Sequence, residues 1–236
     1  MITIRKSKNP ASLAREWDLI AALRDKQIVS GKDHSANSVL APAILENLKP
    51  VRTLIDIGCG TGWLTERASK YADRVVGVDP STESIAIANA KHPGAAITYH
   101  AERIECFAKR RQTFDAAISN MSASSAPDLS AFFTSSRAVL KKHSSFIFTI
   151  PHPCFWPLYW GYASHPSFNY TKSCAVEGNF KIQKEVSNFL TTHFHHPLEQ
   201  YLTTLAETSF QVEALHELIG RGFQLPRFML IKSRAV

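Results

Sequence analysis

A chain of 236 residues is long for one average domain and short for two, so a single large core is the expectation. Hydrophobic residues at 44% and charged residues at 20% are ordinary globular composition, which argues against disorder, and no apolar run approaches the ~18 residues of a membrane span. The net charge of +7 would favour anionic partners, but the basic residues are scattered. Their densest clusters, Lys109-Arg110-Arg111 and Lys141-Lys142, are short and lack interleaved aromatics, so nucleic acid is not an expected partner. The four cysteines, at 59, 106, 154 and 174, have no metal spacing, and no apolar stretch follows the basic Met1–Lys8 segment. A reduced, cytoplasmic setting is expected.

Residues 1–49 read as helical, with amphipathic stretches at Ala11–Arg24 and Ser38–Leu48 around a polar loop at Ser30–Ala36. From Pro50 to Ile150 short apolar runs alternate with amphipathic segments. The predicted strands are Arg52–Ile57, Arg74–Val78, Ala95–Tyr99, Phe114–Ser119 and Ser144–Ile150; the predicted helices are Trp63–Tyr71, Thr82–Lys91 and Leu129–Leu140. Such alternation implies a parallel sheet with right-handed crossovers. Residues 151–200 break the pattern: they carry ten of the 24 aromatics and five prolines, and predict no single regular element. A long irregular insertion is usually functional, so residues 151–196 are read as a cap over the carboxyl edge of the sheet. A helix at Leu198–Ala206 and two antiparallel strands, Phe210–His216 and Arg227–Lys232, close the chain.

The most informative stretch is Leu54-Ile55-Asp56-Ile57-Gly58-Cys59-Gly60-Thr61-Gly62-Trp63. An apolar strand enters three alternate glycines and then a helix, which lets backbone amides approach a ligand beside the helix's positive end. Seventeen residues beyond Gly62, a second strand ends at Asp79, where a ribose hydroxyl pair would be gripped. Together the two halves point to a nucleoside cofactor. The dinucleotide fingerprint requires glycine where this chain has Trp63, and the Asp56 carboxylate would repel a pyrophosphate but suit an ammonium or sulfonium group.

These residues resemble the class I S-adenosylmethionine-dependent methyltransferases. Asp56–Gly62 is similar to the family's first motif, D-x-G-x-G-x-G, Asp79 matches its ribose-binding acidic residue, and Phe114–Met121 resembles its fourth-strand segment. The resemblance implies a Rossmann-like α/β fold, one domain over residues 1–236, with a seven-stranded mixed sheet in the order 3-2-1-4-5-7-6 and helices on both faces. It implies S-adenosyl-L-methionine as cofactor, S-adenosyl-L-homocysteine as product and no metal. The expected cofactor contacts are Asp56, Gly58, Cys59, Gly60, Gly62, Trp63, Asp79, Pro80, Glu102, Asn120 and Met121. Glu102 stands for the family's adenine-side acid, with Glu105 in reserve.

After the fifth strand, Ile150-Pro151-His152-Pro153-Cys154-Phe155-Trp156 resembles a subset of these enzymes with a His-Pro-Cys-Phe stretch, paired with Thr191-Thr192-His193-Phe194-His195-His196-Pro197-Leu198. The expected reaction is methyl transfer to an oxygen or nitrogen of a small molecule, by in-line displacement under the cap. His152 is the first candidate for a general base and His195 the second, each equally able to be a hydrogen-bond donor to substrate. Phe155, Trp156, Tyr159 and Trp160 are expected to line the acceptor site, although such aromatics also pack a cap's own core. His193, His195 and His196 have no nearby Cys and only Glu199 beyond Pro197, so they are not read as metal ligands. Cys59 and Cys154 are not read as nucleophiles. The rival readings are an RNA or DNA methyltransferase, against which the Ser119-Asn120-Met121-Ser122 segment counts, and a catalytically inactive cofactor-binding protein.

Overall fold

The computed structural model describes residues 2–182 and 185–236. The chain begins with a short strand, β1 (Thr3–Arg5), and a long helix, α1 (Pro10–Val29). Asn9 caps that helix by accepting the Ala11 N–H at 2.8 Å, and Pro10 sits in the first turn, where its missing N–H costs nothing. A wide helical turn at Ala36–Leu40 leads into α2 (Ala41–Asn47).

The alternating core follows: β2 (Val51–Ile57), α3 (Trp63–Ala68), β3 (Ala72–Asp79), α4 (Thr82–Lys91), β4 (Ile97–Ala101), a single turn α5 (Ile104–Phe107), β5 (Phe114–Asn120), α6 (Leu129–Ala138) and β6 (Leu140–Pro151). The fifth core strand starts four residues earlier than its apolar run, because Lys141, Lys142 and His143 extend the strand with solvent-facing side chains.

Beyond β6 lie α7 (Trp156–Trp160), β7 (Cys174–Ile182), β8 (Glu185–His195), α8 (Leu198–Glu207), β9 (Phe210–Leu218) and β10 (Phe228–Ala235). The main sheet has seven strands in the order β4-β3-β2-β5-β6-β10-β9, with β10 antiparallel to both neighbours. Numbered from the first core strand, this is the expected 3-2-1-4-5-7-6. Side chains alternate across the central strands. Ile55, Ile57, Val76 and Val78 join Phe107, Phe133, Phe146 and Phe148 on one face; Leu54, Val75, Ile118 and Ile147 meet Ile44 and Leu64 on the other.

The cap is more regular than expected. β7 and β8 form a long antiparallel hairpin, and β1 adds to it as a third strand, pairing Ile4 with Val176. The hairpin was invisible to a search for apolar runs because Gly178, Asn179 and Lys181 interrupt it, and β1 pairs with it from across the chain. Helix α1 binds this sheet to the core. Glu16 accepts the Thr192 N–H at 2.8 Å and pairs with Lys8, which also pairs with Glu177. Asp18 accepts the Ser81 hydroxyl at 2.7 Å and the Glu83 N–H at 3.1 Å, while Ser81 caps α4 through the Ser84 N–H. Helix, hairpin and sheet therefore enclose one space at the carboxyl ends of the parallel strands. Among the described residues, no helix is long and apolar enough to cross a membrane.

Candidate active site

The space is a cavity of about 1050 Å³. Its floor is the turn from β2 into α3, where Gly58, Gly60 and Gly62 all have positive φ (75°, 53° and 83°), a conformation that costs other residues energy. The turn is held from β3: Gly58 and Cys59 donate their N–H groups to Val78 O at 2.7 and 3.1 Å. At Gly58 a Cβ would stand 1.9 Å from the Ser122 hydroxyl, so glycine there lets the β5 loop approach. At Gly60 a Cβ would meet nothing within 4 Å. Gly60 leaves room on the cavity side.

Two carboxylates flank this turn, Asp56 buried and Asp79 half-buried. Asp79 accepts the Gly60 N–H at 2.9 Å with one oxygen and the Ser81 N–H at 2.8 Å with the other. Burial pushes its pKa up to about 6, against the lowering effect of those two amides. Asp56 is 1% exposed; its Oδ2 accepts the Thr65 hydroxyl at 2.6 Å, and its Oδ1 has no partner among the described residues. Burial, reinforced by the neighbouring Asp79, pushes its pKa up to about 7. A buried carboxylate oxygen without a donor is costly, and an ammonium group in the cavity would satisfy it. Asp79 keeps one lone-pair site on each oxygen, enough for a pair of hydroxyl donors. Orphaned acceptor, open glycine cradle and second carboxylate fit the donor set of a nucleoside that also carries an amino-acid ammonium.

The other expected cofactor contacts, Cys59, Trp63, Pro80, Glu102, Asn120 and Met121, also line the cavity. Burial raises the Cys59 thiol well above its usual range and leaves it protonated. The Trp63 ring is covered by the Arg67 guanidinium at 3.7 Å. Glu102 pairs with Arg110 at 2.6 Å and Glu105 with Arg103 at 2.7 Å; both acids reach the wall. Asn120 accepts the Thr149 hydroxyl at 2.7 Å, and Met121, with φ 63°, turns the chain at the end of β5.

The acceptor-side expectations divide. Trp156, Tyr159 and Trp160 line the cavity, whereas Phe155, His152 and His195 do not. Phe155 instead packs on the His152 ring at 4.6 Å. His152 is 2% exposed, with Nε2 2.9 Å from Glu217 and Nδ1 accepting the Cys154 N–H at 3.2 Å. With Nδ1 an acceptor, Nε2 carries the proton and donates to the carboxylate, so neither nitrogen is free to take a substrate proton. His195 donates from Nε2 to Tyr170 O at 2.9 Å and sits among Tyr162, Phe168 and Tyr170. His196 turns to Ala126 O and Ser173.

The histidine of this segment that reaches the cavity is His193, edge-on to Trp160 at 4.6 Å and to Trp156 at 6.3 Å, with Nε2 3.4 Å from the Tyr162 hydroxyl. Burial, with His195 nearby, pushes its pKa down to about 3, so the ring is neutral. Strand alternation separates His193 from His195 in depth rather than in face; the two share one side of β8, and the cavity ends between them. Other lining residues carry no motif: Trp17, Arg24 and His34 from the amino-terminal segment, Phe180 from the hairpin, and Arg221, Phe223 and Arg227 from the β9–β10 loop. Topology could have found the last group, because β9 runs parallel to the core and delivers that loop to the carboxyl edge.

Residues 54–143 match the family model described as a methyltransferase domain. That segment, well under half of the chain, is similar to a methyltransferase domain. Over 118 residues, 49% of the chain, it is 34% identical to a ubiquinone biosynthesis O-methyltransferase of Rhizobium etli. The match spans 44% of that relative's length, less than half of it. A solved structure of a putative S-adenosylmethionine-dependent methyltransferase from Listeria monocytogenes superposes with a TM-score of 0.65 at 20% identity, covering 83% of this chain and 98% of that one. Another, from Clostridium acetobutylicum, gives 0.64 at 17% identity over 92% and 98%. At such identities the likeness is one of fold. The matched segment contributes the glycine turn, both carboxylates and the Asn120–Met121 corner, while the Trp156–Trp160 side of the cavity comes from outside it.

Proposed function

We propose that the protein is an S-adenosylmethionine-dependent methyltransferase acting on a small molecule, with a hydroxyl oxygen as the methylated atom. The observation that carries this reading is the pair of carboxylates about the open Gly60 turn, Asp79 accepting the Gly60 N–H and Asp56, on the cavity lining, keeping an oxygen without a partner among the described residues. The name of the Rhizobium etli relative supports oxygen over nitrogen. When bound, the cofactor supplies an already activated methyl group on its sulfonium.

The chain's own residues then have limited tasks. Asp56 holds the ammonium of the cofactor's amino-acid end, Asp79 takes the ribose hydroxyls, and Glu102 borders the base. Trp156, Tyr159 and Trp160 exclude water and hold the acceptor, and most of the rate comes from that positioning. His193, rather than His152 or His195, accepts the hydroxyl's hydrogen bond, because its ring is the one that reaches the cavity beside those tryptophans. Incubation with methyl-labelled S-adenosylmethionine and a panel of phenols and alcohols tests the reading. Label in an acceptor and formation of S-adenosylhomocysteine are expected; binding without transfer to any member would contradict it.

A further inference from the structure

Arg227, directly before β10 begins at Phe228, lines the cavity half-buried, unlike the exposed Arg221 of the same loop and the ion-paired Arg24 and Arg103. Arg24 is committed to Asp33 at 2.8 Å and Arg103 to Glu105 at 2.7 Å. Among the described residues, the Arg227 side chain has neither a carboxylate nor a hydrogen-bond acceptor, and its Nε is buried without a partner. Its guanidinium instead lies among ring faces: Phe223 at 4.2 Å, Phe228 at 5.2 Å, Trp156 at 5.5 Å and Tyr159 at 5.6 Å. Ring faces compensate part of the lost hydration of a cation but supply no acceptor for its N–H groups. The Trp156 indole N–H, on a residue 9% exposed, is likewise buried with no acceptor. Two neighbouring side chains on one cavity wall thus offer donors only, and both are unsatisfied.

We infer that Arg227 and Trp156 form a subsite for an oxyanion, so that the methyl acceptor is an aromatic or otherwise apolar molecule carrying a carboxylate or a phosphate. Donors without acceptors select a group that has lone pairs and no protons. The planar guanidinium fork suits two oxygens of one such group. The surrounding Tyr159, Phe223 and Phe228 rings suit a flat apolar body. The acidic residue that acts on Arg227, Asp33, does so without an ion pair, because its carboxylate is paired with Arg24 at 2.8 Å. The subsite's charge is therefore left for a ligand. This inference rests on the methyltransferase reading, because the oxyanion is assigned to that reaction's acceptor.

The test uses full-length protein saturated with S-adenosylhomocysteine. Hydroxyaryl carboxylates, their amides and aryl phosphates are titrated against wild type, Arg227→Met, Arg227→Lys and Trp156→Phe by calorimetry. Anionic members should bind wild type about tenfold or more tighter than the amides, the discrimination expected of a charge-assisted pair. Arg227→Met should erase that preference, Arg227→Lys should keep part of it, and S-adenosylhomocysteine affinity should stay unchanged in all variants. Preference for carboxylates or for phosphates names the source of the oxyanion, and either supports the subsite. Amides that bind as tightly as acids, a preference that survives Arg227→Met, or no anion binding at all would overturn it while leaving the methyltransferase reading in place. Failure of wild type to bind S-adenosylhomocysteine would defeat that underlying reading, and the subsite with it. Should Arg227→Met fail to fold by thermal melt, a lysine variant with the full wild-type preference for anions serves as the overturning result.

Discussion

Replacing Asp79 with Ala removes the acceptor for the Gly60 and Ser81 amides and the proposed ribose contacts together. S-adenosylhomocysteine affinity should fall by about tenfold or more, since hydrogen bonds to a charged group are worth roughly 1.5–3 kcal/mol each. Asp56 sets a pH dependence. Its folded pKa, up to about 7, lies above its ordinary value of 3.8. Between those values the folded, ligand-free chain binds more protons than the unfolded one, so its stability falls as pH rises through that window. A cationic ligand beside Asp56 favours the charged form, so affinity should rise from about pH 5 and level off above about pH 7. Calorimetric titration with S-adenosylhomocysteine across that range checks this, and Asp56→Asn should flatten the profile. The histidines separate by role. His152→Ala, which removes a buried ring packed on Phe155 and bonded to Glu217, should lower thermal stability by about 1–3 kcal/mol and leave cofactor affinity unchanged. His193→Ala, which removes a ring packed on Trp160 and Trp156, should lower stability modestly, leave cofactor affinity unchanged and cut turnover by about tenfold, the loss expected of a missing positioning hydrogen bond.

At the scale of elements, the parallel strands were legible because burial on both faces favours near-continuous apolar runs such as Leu54–Ile57, broken only by Asp56, and Phe146–Ile150, broken only by Thr149. The glycine turn was legible because its spacing answers to backbone geometry: all three positions have positive φ. The β7–β8 hairpin was not, since Gly178, Asn179 and Lys181 break its apolar pattern, Asn188, Phe189 and Leu190 are exposed, and its third strand lies at the opposite end of the sequence. The same blind spot misplaced the base. His152 does follow the fifth strand, but its N–H is bonded to Arg227 O and its ring turns to Glu217 on β9. No local pattern reveals a partner 65 residues away. The turn itself makes a sharp prediction. Gly60→Val should abolish cofactor binding, because its side chain would enter the open space of the cradle, at a stability cost of roughly 1–2 kcal/mol for a left-handed branched residue. Binding that survives would show that the turn does not cradle the ligand.

Across the whole molecule, residues 54–143 line the floor of the cavity with the glycine turn and its two carboxylates, and the flanking segments line the rest, where the acceptor is proposed to sit. Helix α1 couples the two, through Asp18 to the cap of α4 and through Glu16 to β8. Glu16→Ala should therefore loosen the hairpin, seen as faster amide exchange in residues 174–182 and 187–195, and lower turnover more than cofactor affinity. The central claim is that the turn between Asp56 and Asp79 holds S-adenosylmethionine. The most direct measurement is a calorimetric titration of the full-length protein with S-adenosylmethionine at about pH 8, where both carboxylates are charged, beside the same titration of Asp79→Ala. Saturable binding at one site, weakened about tenfold or more by the substitution, is the predicted result. Absence of binding to wild type, or an Asp79→Ala protein that binds equally well, would contradict the account.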